Sequence, residues 1–209
     1  MNILFLGPQG SGKGTQAHKL AQELGYTYIE AGKLLREEAK INPELNEIVN
    51  NKGTMAPNHI TLGLIKKAIE KQSPNAQNLI FDGYPRSTEQ LNDLSNYLKE
   101  KGVSIDKVFF LSISEEETVK RLSSRRTCES CGKVFNLITN PPKGENCSCG
   151  GKLQQRIDDK PDAIKPRLKI YWENTAPLVD EFKKQGILVE IDGEQPIDEI
   201  FEKILQEVK

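Results

Sequence analysis

The part of the sequence that most limits the fold is a glycine-rich loop between a short apolar run and an amphipathic run. Ile3 to Leu6 has the length and apolar character of a buried strand, and Lys13 to Leu24 repeats apolar side chains at helical spacing. Between them, Gly7-Pro8-Gln9-Gly10-Ser11-Gly12-Lys13 fits the pattern GxxxxGK. Glycines in such a loop let backbone amides surround phosphate oxygens at a helix N-terminus, and the lysine adds a positive charge. The loop therefore predicts a nucleoside triphosphate site in an α/β fold.

Strand-sized apolar runs alternate with helix-sized amphipathic runs along the chain, which predicts a parallel sheet covered by helices on both faces. The predicted strands are Ile3–Leu6, Leu79–Phe81, Val108–Leu111 and Ile187–Ile191, with Tyr26–Ile29 as a weaker fifth. The predicted helices are Lys13–Leu24, Lys33–Ala39, Ile60–Lys71, Thr88–Lys99, Glu115–Ser124, Arg167–Lys184 and Ile197–Val208. The segments 30–58 and 126–160 break the alternation. They are predicted to be insertions on a core domain formed by 1–29, 59–125 and 161–209.

Composition and charge exclude several classes of protein. The chain has 209 residues, of which 36% are hydrophobic and 28% are charged, so it is long enough for a buried core and too apolar for disorder. With 29 basic and 30 acidic residues the net charge is −1, and no basic excess indicates nucleic acid or an anionic membrane surface. The apolar runs are too short for a membrane span, and the N-terminus lacks the features of a signal peptide. We therefore expect a cytoplasmic protein that binds neither nucleic acid nor membranes.

Further motifs point to one family. Gly12-Lys13-Gly14-Thr15-Gln16-Ala17, then Phe81-Asp82-Gly83-Tyr84-Pro85-Arg86, then Asp192-Gly193-Glu194-Gln195-Pro196 resemble the adenylate kinases among the nucleoside monophosphate kinases. The resemblance covers the whole chain and implies a P-loop kinase with a five-stranded parallel sheet covered by helices. It also implies a helical monophosphate-binding domain at 30–58 and a zinc-knuckle lid at 126–160. The implied reaction is reversible phosphoryl transfer from Mg-ATP to AMP, giving two ADP, by a monomeric enzyme.

Such a reaction needs cations, because two phosphate chains must approach each other in line. Arginine suits this role because its planar guanidinium binds two phosphate oxygens at once and stays charged. The catalytic set that the resemblance implies is Lys13, Asp82, Arg86, Arg121, Arg125, Arg156 and Arg167. Asp82 follows a predicted strand at the carboxyl edge of the sheet, and by resemblance it orders water around Mg²⁺. Asp158 and Asp159 would orient the arginines of the lid.

The resemblance also assigns residues to two nucleotide sites. The implied ATP-binding residues are Gly10, Ser11, Gly12, Lys13, Gly14, Thr15, Arg121, Arg125 and Gln195. The implied AMP-binding residues are Ala31, Gly32, Arg36, Thr54, Met55, Ala56, Gly83, Tyr84, Arg86, Gln90, Arg156 and Arg167. Within the second set, the Gln90 amide offers a donor and an acceptor to the N1/N6 edge of adenine.

The chain departs from the family pattern at the start of the first insertion. Where the pattern is Ser-Thr-Gly-Asp, this sequence has Glu30-Ala31-Gly32-Lys33. Ala31 lacks the hydroxyl expected near the AMP base, and Lys33 reverses a charge near the phosphates. Glu30 and Lys33 have opposite charges that would partly offset each other. Two alternatives to a strict AMP kinase therefore stay open: a kinase with weaker or broader acceptor use, and a non-catalytic nucleotide-binding relative.

All four cysteines lie in the second insertion. Cys128-x-x-Cys131 has the spacing of a zinc knuckle, whereas Cys147-x-Cys149 is one residue tighter than the usual second pair. Four thiolates suit tetrahedral Zn²⁺, disulfides are disfavoured in the cytosol, and the lid of many relatives carries a similar site. We therefore predict that Cys128, Cys131, Cys147 and Cys149 hold a structural Zn²⁺. Iron or another metal is one alternative, and free thiols or disulfides are another.

Pro166 directly precedes the predicted helix Arg167–Lys184, in a region that relatives build as one continuous helix. A proline inside a helix costs about 3 kcal/mol, but it is tolerated in the first turn. We therefore expect the helix to restart or kink near residue 166, beside the lid.

Overall fold

The computed structural model of the protein describes residues 1–48, 55–159 and 161–208. The strands are β1 (Ile3–Leu6), β2 (Thr27–Glu30), β3 (Leu79–Asp82), β4 (Lys107–Ser112), β5 (Arg125–Cys128), β6 (Val134–Asn136), β7 (Leu153–Gln154) and β8 (Leu188–Asp192). The helices are α1 (Lys13–Leu24), α2 (Ala31–Ala39), α3 (Pro43–Asn46), α4 (Asn58–Gln72), α5 (Thr88–Glu100), α6 (Glu115–Ser123), α7 (Pro161–Ile170), α8 (Pro177–Lys184) and α9 (Ile197–Val208). None of the helices in the described ranges is long and apolar enough to cross a lipid bilayer.

Five strands form one parallel sheet in the order β2-β3-β1-β4-β8. All four residues of β1 are buried, because successive side chains point to opposite faces and helices cover both. Leu4 and Leu6 pack into one hydrophobic cluster with residues of α4, α5 and α8. Ile3 and Phe5 pack into a second cluster with residues of α1 and α9. The predicted five-stranded parallel sheet with helices on both faces is confirmed.

The first insertion begins without a loop between strand and helix. Glu30 ends β2 in an extended conformation, with φ −97° and ψ 99°, and α2 starts at the next residue, Ala31. This start is two residues before that of the predicted helix Lys33–Ala39, although neither Glu30 nor Ala31 is a usual helix-capping residue. The predicted site residue Thr54 lies outside the described residues.

The second insertion carries its own small sheet. Strands β6, β5 and β7 pair antiparallel in that order, and Cys128, Phe135 and Cys147 form a separate small cluster of buried residues with Leu153 against it. A cluster of this size buries too little apolar surface to stabilise an independent fold. The exact limits of the two insertions, 30–58 and 126–160, stay predictions.

The expected restart of the helix at Pro166 is wrong, whereas a kink there stays a prediction. Helix α7 continues through Pro166 to Ile170, and the irregular turn follows as a π-helical segment at Tyr171–Thr175. A proline at position i disrupts only the contact with the carbonyl of residue i−4, here Asp162 near the helix start, where the chain can adapt. The π-helical segment instead coincides with two side-chain bonds: Asn174 Nδ2 donates to the Ile170 carbonyl at 3.0 Å and Thr175 Oγ1 donates to the Arg86 carbonyl at 2.9 Å.

Candidate active site and lid cysteine cluster

The glycine loop holds its lysine at the start of α1. Gly12 precedes the helix and has no side chain to cap it, so the first amides of α1 are open to an anion. Lys13 Nζ donates to the Pro8 carbonyl at 2.9 Å. A Cβ atom on Gly14 would lie 3.0 Å from Asp82 Oδ2. The glycine at the position where such loops usually have Ser or Thr therefore lets the Asp82 carboxylate approach the loop.

Lys13 lies in an electropositive environment. Burial lowers the pKa of Lys13, the charge of Asp82 partly offsets this effect, and the charges of Arg86, Arg125 and Arg167 add to it, so that the pKa is about 8. A cation whose charge is disfavoured by three neighbouring cations gains most from a bound anion. Together with the open amides at the start of α1, this concentration of positive charge makes the space around Lys13 suited to an anion.

Asp82 is fixed at the carboxyl edge of the sheet by a residue that the sequence analysis did not single out. Tyr28 on β2 donates from its hydroxyl to Asp82 Oδ2 at 2.8 Å. Burial, and after it the charges of Asp82 and Glu30, raise the pKa of Tyr28, so its hydroxyl stays protonated and remains a donor. Strand alternation places Tyr28 and Glu30 on one face of β2, but only the register, which sets Glu30 opposite Asp82, reveals the contact.

A wide cleft opens beside the glycine loop and encloses about 730 Å³, counting its open mouth, a size suited to a nucleotide. Ten of the twelve residues predicted for AMP line it: Gly32, Arg36, Met55, Ala56, Gly83, Tyr84, Arg86, Gln90, Arg156 and Arg167. Leu35, Thr61 and Asp158, which were not predicted to bind AMP, also line it. Ala31 is only 1% exposed and belongs to the hydrophobic core, so its side chain faces the core.

The wall of the cleft around Arg86 is held by backbone contacts. Gln90 Oε1 accepts a hydrogen bond from the Arg86 amide at 2.8 Å, and Gln90 is itself 5% exposed. Arg86 Nε donates to the Gly83 carbonyl at 2.7 Å. Desolvation by the cleft walls, and after it the charge of Arg167, lower the pKa of Arg86. The guanidinium is thus fixed among like charges, without a carboxylate within ion-pair distance among the described residues.

A buried carboxylate joins two of the predicted catalytic arginines. Asp159, which is 0% exposed, accepts from Arg125 Nε at 2.7 Å and from Arg125 Nη2 at 2.5 Å. Arg167 Nη1 donates to Asp159 Oδ1 at 3.3 Å and lies 3.2 Å from Asp158 Oδ2. Burial raises the pKa of Asp158, but the charges of Arg167, Arg125 and Arg156 outweigh burial and lower it overall. The two aspartates therefore position the arginines on the lid side of the cleft.

The remaining two cleft arginines have different partners. Arg156 Nε donates to Thr127 Oγ1 at 3.1 Å. Burial, then the charges of Arg125 and Arg36, lower the pKa of Arg156 to about 10. Arg36 Nη2 donates to Glu30 Oε1 at 2.8 Å.

Glu30 forms its ion pair with Arg36, and the partial offset between the charges of Glu30 and Lys33 stays a prediction. Lys33 is exposed, and no ion pair joins it to the described residues. The helix brings Arg36 rather than Lys33 to Glu30, since residues one turn apart share a face and long side chains lean toward the helix start.

Arg121 lies on the other side of the glycine loop. A Cβ atom on Gly10 would lie 3.6 Å from Arg121 Cβ. The Arg121 guanidinium donates to Glu117 Oε1 at 2.7 Å and to the Gly193 carbonyl at 2.8 Å. Arg121 therefore joins the loop to the turn that follows β8.

The other predicted ATP-binding residues lie on the loop itself or in that turn. Gln195, in the turn after β8, accepts from Lys203 Nζ at 2.5 Å. Ser11 is buried and Thr15 is exposed. Arg121, Gln195 and the loop are thus separate from the residues that line the wide cleft.

The four cysteines of the lid converge on one point. The Sγ atoms of Cys128 and Cys149 are 3.5 Å apart, those of Cys131 and Cys147 are 3.6 Å apart, and all four lie within 4.8 Å of one another. A tetrahedral site with Zn–S bonds of about 2.3 Å has S···S edges of roughly 3.8 Å. The donor set therefore fits a tetrahedral metal ion, and the tight Cys147-x-Cys149 pair does not prevent the arrangement.

These cysteines are free thiols, and their separations are far longer than the roughly 2.05 Å of a disulfide. The backbone amides of Cys131 and Ser130, together with the Cys149 and Cys131 thiols, lower the pKa of Cys128 to about 6, and the amide of Cys149 lowers the pKa of Cys147. The neighbouring thiols Cys149, Cys128 and Cys147 instead raise the pKa of Cys131 to about 12. Thiolates are the form that binds metals, so the surroundings favour the metal-binding form at Cys128 and Cys147.

Comparison with known proteins identifies the family. The adenylate kinase family model matches residues 5–187. The chain is 40% identical over 218 residues to an adenylate kinase of Archaeoglobus fulgidus, with 100% of both chains covered. It is 43% identical over 209 residues to an adenylate kinase of Pyrococcus abyssi, with 98% of this chain and 94% of the relative covered. One from Caldanaerobacter subterraneus subsp. tengcongensis is 38% identical with the same coverage. The resemblance in the motifs is confirmed: the chain belongs to the adenylate kinase family, and it is a nucleoside monophosphate kinase.

Proposed function

We propose that this protein transfers the terminal phosphoryl group of Mg-ATP reversibly to AMP, giving two ADP. The observation that carries the proposal is that Arg86 and Arg167, which line the cleft, also lie close enough to Lys13 to lower its pKa. A reaction between two polyphosphates needs fixed cations between two nucleotide sites, because repulsion of the phosphate chains opposes their approach. Four arginines from separate parts of the chain line the cleft: Arg36, Arg86, Arg156 and Arg167.

On the donor side, the loop amides and the N-terminus of α1 bind the phosphates of ATP, and Lys13 binds the terminal phosphates. Lys13 must first exchange its bond to the Pro8 carbonyl for a phosphate oxygen. Arg121 and Gln195, at the outer side of the loop, contact the rest of the donor nucleotide. Arg125 contacts the transferred phosphoryl group when the lid is closed.

On the acceptor side, Arg36, Arg86, Arg156 and Arg167 bind the phosphate of AMP, and Gln90 binds the adenine. The Gln90 carbonyl oxygen already accepts from the Arg86 amide. Its NH₂ group is therefore the main group left for the base, where it donates to N1 of adenine. The same bond links the base contact to the backbone of a phosphate-binding arginine, which positions base and phosphate relative to each other.

Two metal ions support this function. Asp82, held by Tyr28 at the carboxyl edge of the sheet, offers the carboxylate oxygen that hydrated Mg²⁺ prefers. Magnesium, when bound with ATP, neutralises part of the phosphate charge. Cys128, Cys131, Cys147 and Cys149 would hold Zn²⁺, whose role with four thiolate ligands would be to keep the lid rigid and not to take part in the reaction.

The substitution at Glu30-Ala31-Gly32-Lys33 supports one further candidate, a kinase with weaker or broader acceptor use. Ala31 faces the core and offers no hydroxyl to a base. The test is the rate of NDP formation from Mg-ATP with AMP, GMP, CMP and UMP. The proposal requires AMP to be an acceptor. Strict use of AMP with high affinity would refute the broader candidate, and no turnover with any acceptor would leave only a nucleotide-binding protein.

We further propose that the protein works as a monomer in the cytoplasm. Four clustered free thiols are typical of a reducing compartment. Gel filtration of the purified protein at micromolar concentration tests whether it is a monomer, and a mass near 23.5 kDa is the expected result. An elution volume that corresponds to twice this mass would contradict it.

A further inference from the structure

Glu30 and Arg36 form an ion pair inside the acceptor region. Arg36 Nη2 donates to Glu30 Oε1 at 2.8 Å, and the side chains are 38% and 29% exposed, respectively. The guanidinium folds back over the first turn of α2, where a Cβ atom on Gly32 would lie 2.9 Å from Arg36 Nη1. Arg36 therefore lines the cleft on one side and contacts Glu30 on the other.

This partner distinguishes Arg36 from Arg86 and Arg156, whereas Arg167, the fourth cleft arginine, also contacts carboxylates, those of Asp158 and Asp159. Among the described residues, Arg86 bonds to a backbone carbonyl and Arg156 to a hydroxyl, both of which are neutral. Arg36 bonds to a full negative charge. The family pattern at position 30 is a serine, so the carboxylate adds a charge that the pattern does not contain.

The added charge opposes the binding of an anionic acceptor. A phosphate that approaches Arg36 meets a cation whose charge is already partly neutralised, and it also meets the field of the Glu30 carboxylate behind it. The pair has a competing effect, since it holds a flexible side chain in place and so lowers the entropy cost of binding. A half-exposed pair restrains its side chains only weakly, whereas repulsion acts on both charges of a phosphate dianion. Repulsion is therefore the larger effect.

We propose that Glu30 weakens the binding of the acceptor phosphate through Arg36 and thereby sets the affinity for the acceptor without affecting the donor. Glu30 is in this sense a positioning residue, because it acts through Arg36 and does not line the cleft itself. The inference rests on the proposed function for the identity of the acceptor.

The test is Glu30→Gln, which removes the charge and keeps the shape. Glu37→Gln is the matched control, because Glu37 follows Arg36 on α2, is exposed, and forms no ion pair with the described residues. We expect Glu30→Gln to lower the KM for AMP, and its Kd measured by calorimetry without ATP, by about three- to tenfold. The KM for ATP and kcat should stay within about twofold, and Glu37→Gln should leave all four constants within about twofold. An unchanged or raised Kd and KM for AMP in Glu30→Gln would overturn the proposal.

Two further variants separate the mechanism from general charge effects. Glu30→Ser, which restores the family pattern at this position, should lower the KM and Kd for AMP in the same way. It replaces Glu30→Gln as the test if that variant folds poorly. In an Arg36→Gln background, Glu30→Gln should change the Kd for AMP by less than about twofold, because the pair is already broken. A full gain in that background would show that Glu30 does not act through Arg36. If the wild type makes no ADP, the proposed function fails, whereas AMP calorimetry still decides the role of Glu30.

Discussion

The Arg125 guanidinium donates two hydrogen bonds, at 2.7 and 2.5 Å, to the fully buried carboxylate of Asp159. The same carboxylate accepts from Arg167, so a single anion fixes one arginine at the start of β5 and another on α7. Bidentate arginine–carboxylate pairs of this kind are strong and geometrically specific. Asp159 therefore couples the lid to the helix that carries Arg167, an arginine of the cleft.

Replacing Asp159 by Asn should impair both stability and turnover. Removing one partner of a buried ion pair costs about 3–5 kcal/mol, because the remaining charges stay desolvated, and two arginines lose their positions. We expect a clearly lower Tm and a kcat reduced by about ten- to a hundredfold. Asp162→Asn, at an exposed position on α7, is the control and should change neither quantity. A variant of Asp159 with wild-type Tm and kcat would show that the pair has no such role.

The donor side should lose affinity for ATP above about pH 8. The pKa of Lys13 in the free protein is lowered to about 8, so the lysine is charged below this pH and becomes neutral above it. Because kcat/KM reports the free enzyme, kcat/KM for ATP should fall by up to about tenfold per pH unit above this value. Lys13→Arg stays charged in this range and should lack the decline, even if its activity is lower. A flat wild-type profile between pH 7 and 10 would contradict the assignment.

Asp158 should contribute to stability at neutral pH and lose this contribution in acid. Its pKa is lowered overall in the folded protein, since Arg167, Arg125 and Arg156 outweigh the effect of burial. A carboxylate whose pKa is lower in the folded than in the unfolded protein stabilises the fold at pH values above its unfolded-state pKa of about 3.9. This stabilisation is lost as the pH falls through the folded-state pKa. The Tm difference between wild type and Asp158→Asn should therefore be present at pH 6 and shrink below about pH 4. A difference that does not depend on pH would argue against this account of Asp158.

Removal of the lid metal should affect stability more than chemistry. The lid has only a few buried side chains of its own, and a structural zinc site contributes on the order of 10 kcal/mol to the folding of such a segment. Purified protein should contain about one zinc per chain, and a strong chelator should lower the Tm while turnover at low temperature changes little. The matched control is the same chelator with Cys128→Ser protein, whose Tm should not respond further. Equal loss of activity without a change in Tm would refute the structural role.

The sequence predicts the scaffold better than the contacts within the site. The glycine loop and the buried strand Ile3–Leu6 are local patterns, and both lie where the pattern places them. The Tyr28–Asp82 bond depends on the register between β2 and β3, which no local pattern contains. The Glu30–Arg36 pair depends on a helix that starts at Ala31 without a capping residue. Long-range register and uncapped helix starts therefore mark the limit of prediction for this site.

The arrangement of the cysteines shows the same limit. The spacing of Cys128 and Cys131 predicts a metal site on its own. The Cys147-x-Cys149 pair is one residue tighter than usual, and its spacing alone does not predict that it reaches the same ion. Only the folded backbone shows that a turn at Gly150 and close packing at Gly151 bring Cys147 and Cys149 to the same point. The sequence thus predicts cysteines as the metal ligands, but it does not predict how the folded chain brings their four Sγ atoms together.

The central claim is that fixed cations between the two nucleotide sites offset the repulsion of their phosphates. The most direct test is the rate of ADP formation from saturating Mg-ATP and AMP by Arg86→Ala, with the Tm measured alongside. We predict a loss of about a hundred- to a thousandfold, the usual effect of removing one preorganised charge-stabilising group, with the Tm near that of the wild type. A folded Arg86→Ala protein that forms ADP within about threefold of the wild-type rate would contradict the claim.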